Sequence, residues 1–76
     1  MNRVIPLLVA PPGVSLRVVS IEGGWGISRR LLEIGITPGT IIRVLSKDAG
    51  PIILEVRGTI FAIGRGHAKK IYVEVL

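Results

Sequence analysis

Few side chains in this sequence could perform chemistry, and the first to weigh is its single histidine. His67 lies in a connection rich in Gly and Lys, and the chain has no cysteine. A structural zinc site usually needs four converging ligands, most often Cys and His. The other candidate ligands are five carboxylates scattered along the chain: Glu22, Glu33, Asp48, Glu55 and Glu74. We therefore expect no native metal site, and His67 is the one weak candidate for metal binding.

Nucleophilic and nucleotide chemistry find no matching motif either. No serine stands in a Gly-x-Ser-x-Gly sequence, and no pair of carboxylates suggests general acid–base catalysis. Two glycine-rich segments, residues 23–26 and 64–69, match neither the dinucleotide fingerprint nor the phosphate-binding Gly-Lys-Ser/Thr loop. Such glycines are more often turn residues. The sequence predicts a protein that is not an enzyme and needs no cofactor.

Composition indicates one small globular domain over residues 1–76. The chain is 49% apolar and carries a net charge of +5. Without cysteine a disulfide scaffold is excluded, and the simplest compartment is the cytoplasm. The longest apolar run, residues 4–12, is shorter than the about 20 residues that cross a bilayer. It has the size of a secretory signal core, but three prolines interrupt it and no small-x-small cleavage site follows. We expect an irregular lead-in over residues 1–14, whose Leu7 and Leu8 cover one end of the core.

The hydrophobic pattern predicts a mainly β domain with five strands and one short helix. Gly and Pro signals separate segments rich in β-branched residues. The predicted strands are residues 16–21, 40–46, 52–56, 59–63 and 71–75. Between the first two, Ile27, Leu31 and Ile34 recur at helical spacing, which predicts a helix over residues 27–34 with Ser28 as its cap. Closing these strands into a small, bent barrel would remove exposed sheet edges.

Side-chain alternation predicts which face of each strand is buried. Ile42 and Val44 should point inward, while Arg43 and Glu55 should face outward. Four large apolar residues share this outward face: Ile41, Leu45, Ile53 and Ile60. Either the helix and the lead-in cover part of this face, or it forms a surface for a partner or for self-association, and the pattern leaves both explanations open. A homo-oligomer would add stability to a core that supplies only about 3–5 kcal/mol.

The positive charge favours a second function class, nucleic-acid binding. A basic barrel can grip a phosphate backbone, but single-strand binders usually add several aromatic stacking platforms. Here the aromatic residues are only Trp25, Phe61 and Tyr72, far apart, and Phe61 should be core. Because the aromatic residues are few, we expect no nucleic-acid partner. A small basic β-barrel that binds nucleic acid is kept as the alternative function. The basic groups that favour it are Arg29, Arg30, Arg57, Arg65, His67, Lys69 and Lys70.

An ordered set of motifs gives the chain a family resemblance. The motifs lie at residues 18–24, 30–40, 50–52, 56–58 and 63–73. The most specific is Leu-x-x-Ile-Gly-Ile-x-Pro-Gly at residues 31–39, followed by a strand. Together they cover nearly the whole chain, which resembles the FeoA family of small cytosolic accessory proteins of prokaryotic ferrous iron uptake. The same domain also occurs at the C-terminus of metal-dependent repressors of the diphtheria-toxin-repressor type. Because this chain lacks their DNA-binding and metal-binding domains, the freestanding transport protein is the better match.

The resemblance implies an SH3-like five-stranded barrel with one short helix between the first and second strands. It also implies a non-catalytic, regulatory role in ferrous iron uptake. The partner would be the cytosolic part of a membrane permease with a GTP-binding domain, so the chain would meet the membrane only through that permease. The family's motif residues then look structural: Leu31, Ile34, Gly35, Pro38, Gly39, Ala68 and Ile71.

The motifs do not define the partner surface, so we place it on the exposed face of the predicted helix and the residues next to it. Trp25, Arg29, Arg30 and Leu32 are predicted to form it. An exposed aromatic residue beside arginines is typical of an interface anchor. The alternative for Trp25 is structural: its indole would cap one end of the barrel beside the glycine turns.

Overall fold

The computed structural model of the chain describes residues 3–76, which form six β-strands and two helices. The strands are β1 (Val4–Pro6), β2 (Ser15–Ile21), β3 (Ile41–Ser46), β4 (Ile52–Val56), β5 (Thr59–Ile63) and β6 (Ile71–Val75). Helix α1 (Gly24–Glu33) connects β2 to β3, and the one-turn helix α2 (Arg65–Ala68) connects β5 to β6. A short 3₁₀ turn (Leu7–Val9) follows β1. None of these helices is long and apolar enough to span a membrane.

All six strands join one antiparallel sheet in the order β1–β6–β2–β3–β4–β5. Register shifts in β2 after Val18 and in β3 after Val44 bend the sheet around the core. Within residues 3–76 no strand pairing joins β1 to β5, so both remain edges. The predicted mainly β fold is confirmed. The predicted five-stranded closed barrel is wrong in strand count and in closure, because a sixth strand adds outside β6 and none pairs with the outer side of β5.

The predicted irregular lead-in contains that sixth strand. Strand β1 pairs with residues 72–74 of β6, so opposite ends of the chain meet. Three residues that end in proline give no local strand signal, and only this distant pairing defines the strand. The turn that follows buries Leu7 completely and Leu8 partly, as predicted. Lys47 Nζ holds the turn by donating to the Ala10 carbonyl at 2.6 Å. Residues 1 and 2 of the lead-in lie outside the described residues.

The hydrophobic core lies under the concave face of the sheet. Strand alternation is as predicted, with Ile42 and Val44 buried and Arg43 exposed. Three of the four outward apolar residues are exposed, namely Ile41, Leu45 and Ile60, and only Ile53 is half-buried. The explanation that the helix and the lead-in cover this face is therefore wrong for those three residues, and a partner or self-association surface stays a prediction. The buried apolar residues are Leu7, Ala10, Leu16, Val18, Leu31, Ile36, Ile42, Val44, Ile52, Leu54, Val56, Ile63, Ala68, Ile71 and Val73.

Helix α1 begins three residues earlier than the sequence predicts. Its N-cap is Gly23, with φ +100° and no side-chain cap, so the prediction of Ser28 as the cap is wrong. A Cβ at position 23 would lie 2.9 Å from both Ile27 Cγ2 and Lys70 Cδ. Glycine therefore provides the left-handed conformation and the close approach that start the helix here.

The end of α1 is a Schellman motif. Gly35 has φ +86°, its N–H donates to the Leu32 carbonyl at 3.0 Å, and the Ile36 N–H donates to the Leu31 carbonyl at 2.9 Å. Leu31 and Ile36 are both buried, which adds the apolar contact that accompanies this motif. The predicted stop at Gly35 is confirmed, and the chain leaves the helix in a defined direction.

Replacing Gly23 by alanine should lower the free energy of unfolding by about 1–2 kcal/mol, the usual cost of a left-handed side chain. The control is Gly26→Ala, inside α1 with no atom near its Cβ position. It should raise the free energy of unfolding by up to about 1 kcal/mol, because alanine is the better helix former. Urea unfolding followed by circular dichroism measures both. Equal effects of the two substitutions would contradict the assignment of Gly23 as the cap.

Candidate partner-binding surface

Helix α1 exposes two large apolar side chains on the face turned away from the core. Trp25 is 71% exposed and Leu32 is 53% exposed. Seven residues apart, they lie nearly in line along the helix. The structural alternative for Trp25 is wrong, because its indole stands in solvent and does not cap the sheet. Exposed apolar clusters of this kind are typical of interaction surfaces.

An apolar groove of about 230 Å³ runs beside these two residues. One wall is α1, and the other is the loop that connects α1 to β3. No lining residue carries a charge, so the groove suits an apolar side chain of a partner. This Trp25 groove is lined by Ile21, Trp25, Ser28, Leu32, Ile36, Thr37 and Pro38.

Thr40 fastens the loop wall of the Trp25 groove. Its buried hydroxyl donates to the Gly35 carbonyl at 3.2 Å. The same oxygen accepts the Thr37 N–H at 3.2 Å and lies 3.1 Å from Thr37 Oγ1, which uses its full capacity of one donor and two acceptors. Sequence analysis missed this role. The available signal was the Thr-Pro-Gly-Thr spacing, since threonines that flank a turn often bond to its backbone.

Thr40→Val should lower the free energy of unfolding by about 1–3 kcal/mol, because it leaves the Gly35 carbonyl and the Thr37 N–H without their partner. Valine keeps the shape of the side chain, so the loss reports the hydroxyl. Thr40→Ser keeps the hydroxyl and should cost clearly less. Chemical denaturation of the two variants tests this expectation, and identical losses would show that the hydrogen bonds contribute nothing.

The two predicted arginines do not lie in the Trp25 groove. Arg29 is exposed beside Trp25, with its Nε 3.9 Å from Glu33 Oε1. Arg30 lies on the opposite flank of α1 and lines a second concavity, between α1, β5 and α2. The structure therefore brings Trp25 and Leu32 together and separates Arg30 from them. A partner-binding role for these four residues stays a prediction.

His67, the weak metal candidate, lies half-buried in the second concavity. In the part of the chain that the structure describes, no three His, Asp or Glu side chains come close enough to hold a metal ion. The titratable neighbour of His67 in the concavity is Arg30, and the remaining lining residues are apolar or glycine. This setting is positive and free of carboxylates.

The family's motif residues form the framework of this surface. Leu31, Ala68 and Ile71 are buried, and Ile34 packs against the core from its edge. Gly39 has φ +95° in the turn before β3, and its N–H donates to the Val18 carbonyl at 2.7 Å. These contacts tie the loop wall of the Trp25 groove to β2.

An open, bent antiparallel sheet with a helix inserted after β2, and an apolar groove along that helix, define a small SH3-like β domain. Residues 5–75 match the FeoA domain family. The putative Fe(2+) transport protein A of Methanocaldococcus jannaschii is 41% identical over 69 residues, which are 91% of this chain and 84% of that protein. The chain belongs to the FeoA family, as its motifs predict.

Solved structures agree with this assignment. The crystal structure of an iron uptake regulatory protein (FeoA) is similar with a TM-score of 0.89 and 43% identity, over 97% of this chain and 99% of that one. The NMR structure of a FeoA-like protein from Clostridium acetobutylicum has a TM-score of 0.86 and 31% identity, over 100% and 91% of the two chains. A manganese-dependent transcriptional repressor has a TM-score of 0.88 at 24% identity, over 100% of this chain and 44% of the repressor. The last comparison shows a shared fold alone.

Proposed function

We propose that this chain is a non-catalytic accessory protein of ferrous iron uptake that docks on the cytosolic, GTP-binding part of an iron permease. Membership of the FeoA family supports the transport role, since a relative that is 41% identical is named a putative Fe(2+) transport protein. The proposal places the chain in the cytoplasm, at the membrane only through the permease.

The observation that carries docking is the unpartnered Trp25 beside Leu32 and an apolar groove. An indole that stays largely in water contributes little to the fold, whereas Trp is strongly enriched among the residues that anchor interfaces. Thr40 holds the loop wall of the Trp25 groove before any partner arrives, which reduces the entropy lost on binding. Arg29 lies beside the indole and would form part of the polar rim that usually surrounds the apolar centre of an interface.

Affinity purification from detergent-solubilised cells tests the proposal. A tagged chain is recovered at physiological salt with nuclease present, and its partners are identified by mass spectrometry. Enrichment of a large membrane permease with a GTP-binding domain is the expected result. Recovery of the tagged chain without that permease, from cells that express it, would contradict the proposal.

The same purification separates docking from nucleic-acid binding. Two of the basic side chains make contacts within the fold: Arg17 pairs with Glu74 at 2.6 Å, and Arg65 donates to the Lys47 carbonyl at 3.2 Å. These two side chains are therefore less available to a phosphate backbone. Among the aromatic residues only Trp25 is exposed, so no stacking platform forms across the sheet. Proteins recovered only without nuclease, and lost steeply as salt rises, would move the assignment to a nucleic-acid-binding barrel.

A further inference from the structure

Strand β5 is a free edge of the sheet and carries none of the groups that protect such edges. It pairs with β4 alone, and its sequence Thr-Ile-Phe-Ala-Ile holds no charge and no proline. Natural edge strands usually carry one of these, because an unpaired row of N–H and C=O groups attracts another strand. The opposite edge, β1, ends in Pro6. Strand β5 therefore lacks the features that keep other strands away.

The turn between β4 and β5 determines which backbone groups of β5 are free. Its two residues, Arg57 and Gly58, have φ +52° and +81°, the signs of a type I′ hairpin turn. In such a hairpin the pair that flanks the turn, here Val56 and Thr59, is hydrogen-bonded. Further along the two strands, hydrogen-bonded pairs alternate with pairs that are not hydrogen-bonded to each other. From Thr59 onward every second residue directs its groups at β4. The N–H and C=O groups of Ile60 and Ala62 therefore point away from the sheet.

The second concavity lies along this edge and has the shape of a strand-accepting groove. Its volume is about 420 Å³. Phe61 and Ala62 line the strand side, Arg30 and Ile34 line the α1 side, and His67 of α2 lines one end. We call it the β5 groove. An extended chain beside Ala62 would lie between an edge strand and a helix, an arrangement in which main-chain hydrogen bonds give affinity and pockets for alternate side chains give specificity.

The charge of the β5 groove selects for an acidic occupant. Among residues 3–76, Arg30 and His67 are the only titratable residues that line it, and no carboxylate does. Arg29, one residue away on α1, lies near Glu33, whereas Arg30 makes no ion pair within residues 3–76. A second copy of β5 would bring no carboxylate to these cations, because that strand is uncharged.

We infer that the β5 groove binds an extended peptide segment that carries a carboxylate, by adding it as a seventh strand beside Ile60 and Ala62. Arg30 pairs with the carboxylate, and Phe61 and Ile34 receive an apolar side chain. This inference does not rest on docking at the permease, because it concerns the opposite flank of α1 and uses a different readout.

The test titrates the full chain with a capped seven-residue peptide, Thr-Glu-Thr-Val-Thr-Glu-Thr, whose Glu and Val side chains share one face of an extended strand, and follows the backbone amide signals by NMR. The expected result is shift changes confined to the residues around the β5 groove, namely residues 30–34 and residues 60–67, with slower hydrogen exchange at Ala62. A peptide with both glutamates replaced by lysine should bind at least about tenfold more weakly, because its positive charges are repelled by the positive charge of the groove. A peptide with proline at its central position should lose most of its affinity, because it lacks a ladder N–H.

Arg30→Glu should weaken binding of the acidic peptide by about tenfold or more, since it reverses the charge that faces the carboxylate. The matched control is Arg29→Glu, the same change on the same helix but outside the β5 groove, and it should leave the affinity nearly unchanged. Both positions are exposed, so both variants should keep the native circular dichroism.

Three outcomes would overturn the inference. The first is absence of binding at millimolar peptide. The second is equal binding of the acidic and lysine peptides, or equal effects of the two arginine variants. The third is a change in the amide shifts of residues 61–64 with protein concentration when no peptide is present, which would show that a second copy covers β5.

Discussion

Leu32→Asp should weaken the proposed docking on the GTP-binding part of an iron permease by about 30-fold, the equivalent of about 2 kcal/mol for an interface anchor. The new carboxylate would have to leave water and enter a groove without any charged lining residue, which is unfavourable. Because Leu32 is already half in solvent, the substitution should leave the fold intact. Calorimetric titration of the purified cytosolic part of the permease measures the affinity, and circular dichroism measures the fold.

The control is Leu45→Asp, the same change at an exposed leucine on the outward face of β3. It should bind the permease as the native chain does, whereas Trp25→Ala should lose affinity as Leu32→Asp does. Native binding by both folded α1 variants would refute the Trp25 groove as the docking site. Loss of binding in Leu45→Asp alone would place the partner on the outward face of the sheet.

Leu54→Ala should leave much of the protein unfolded in the absence of denaturant. Leu54 is fully buried on β4, opposite Val44 of β3 in the ladder. Removing a buried leucine side chain costs about 2–5 kcal/mol, from lost burial and from the cavity left behind. A core of this size supplies only about 3–5 kcal/mol of net stability, so the loss is comparable with the whole.

The expected signal is a collapsed urea midpoint and reduced β-sheet circular dichroism. Tryptophan fluorescence is a poor probe here, because Trp25 is already exposed in the folded chain. Leu45→Ala, the same substitution on the outward face of β3, should change the free energy of unfolding by less than about 1 kcal/mol. A Leu54→Ala variant with the native midpoint would mean that the buried Leu54 side chain contributes little to stability.

Local signals in the sequence were enough for most elements. Five strands follow from β-branched runs bounded by Gly and Pro, and the two residues between the fourth and fifth of the observed strands, Arg57 and Gly58, form a tight hairpin turn. Gly35 ends α1 because its left-handed conformation is nearly free for glycine. Each of these depends on residues within a few positions of one another, which is why the sequence alone predicts them.

The candidate site was predictable only in part. The sequence placed Arg29, Arg30 and Leu32 on the helix and Trp25 just before it, whereas the helix already begins at Gly24, because Gly23 caps it. With no side-chain cap to mark the start, the glycine pair before Trp25 read as a turn. The separation of Arg30 from the Trp25 groove depends on which elements pack on each flank of α1.

The sequence by itself determined the family, the mainly β composition, the inward-facing residues and the end of the helix, since periodicity and turn chemistry are local properties. Only the tertiary structure decided that β1 pairs with β6, that the sheet stays open at β5, and that α1 has an apolar groove on one flank and a basic one on the other. These features arise where segments distant in sequence meet. Their energies come from pairing and burial across the fold, which no local pattern of residues records.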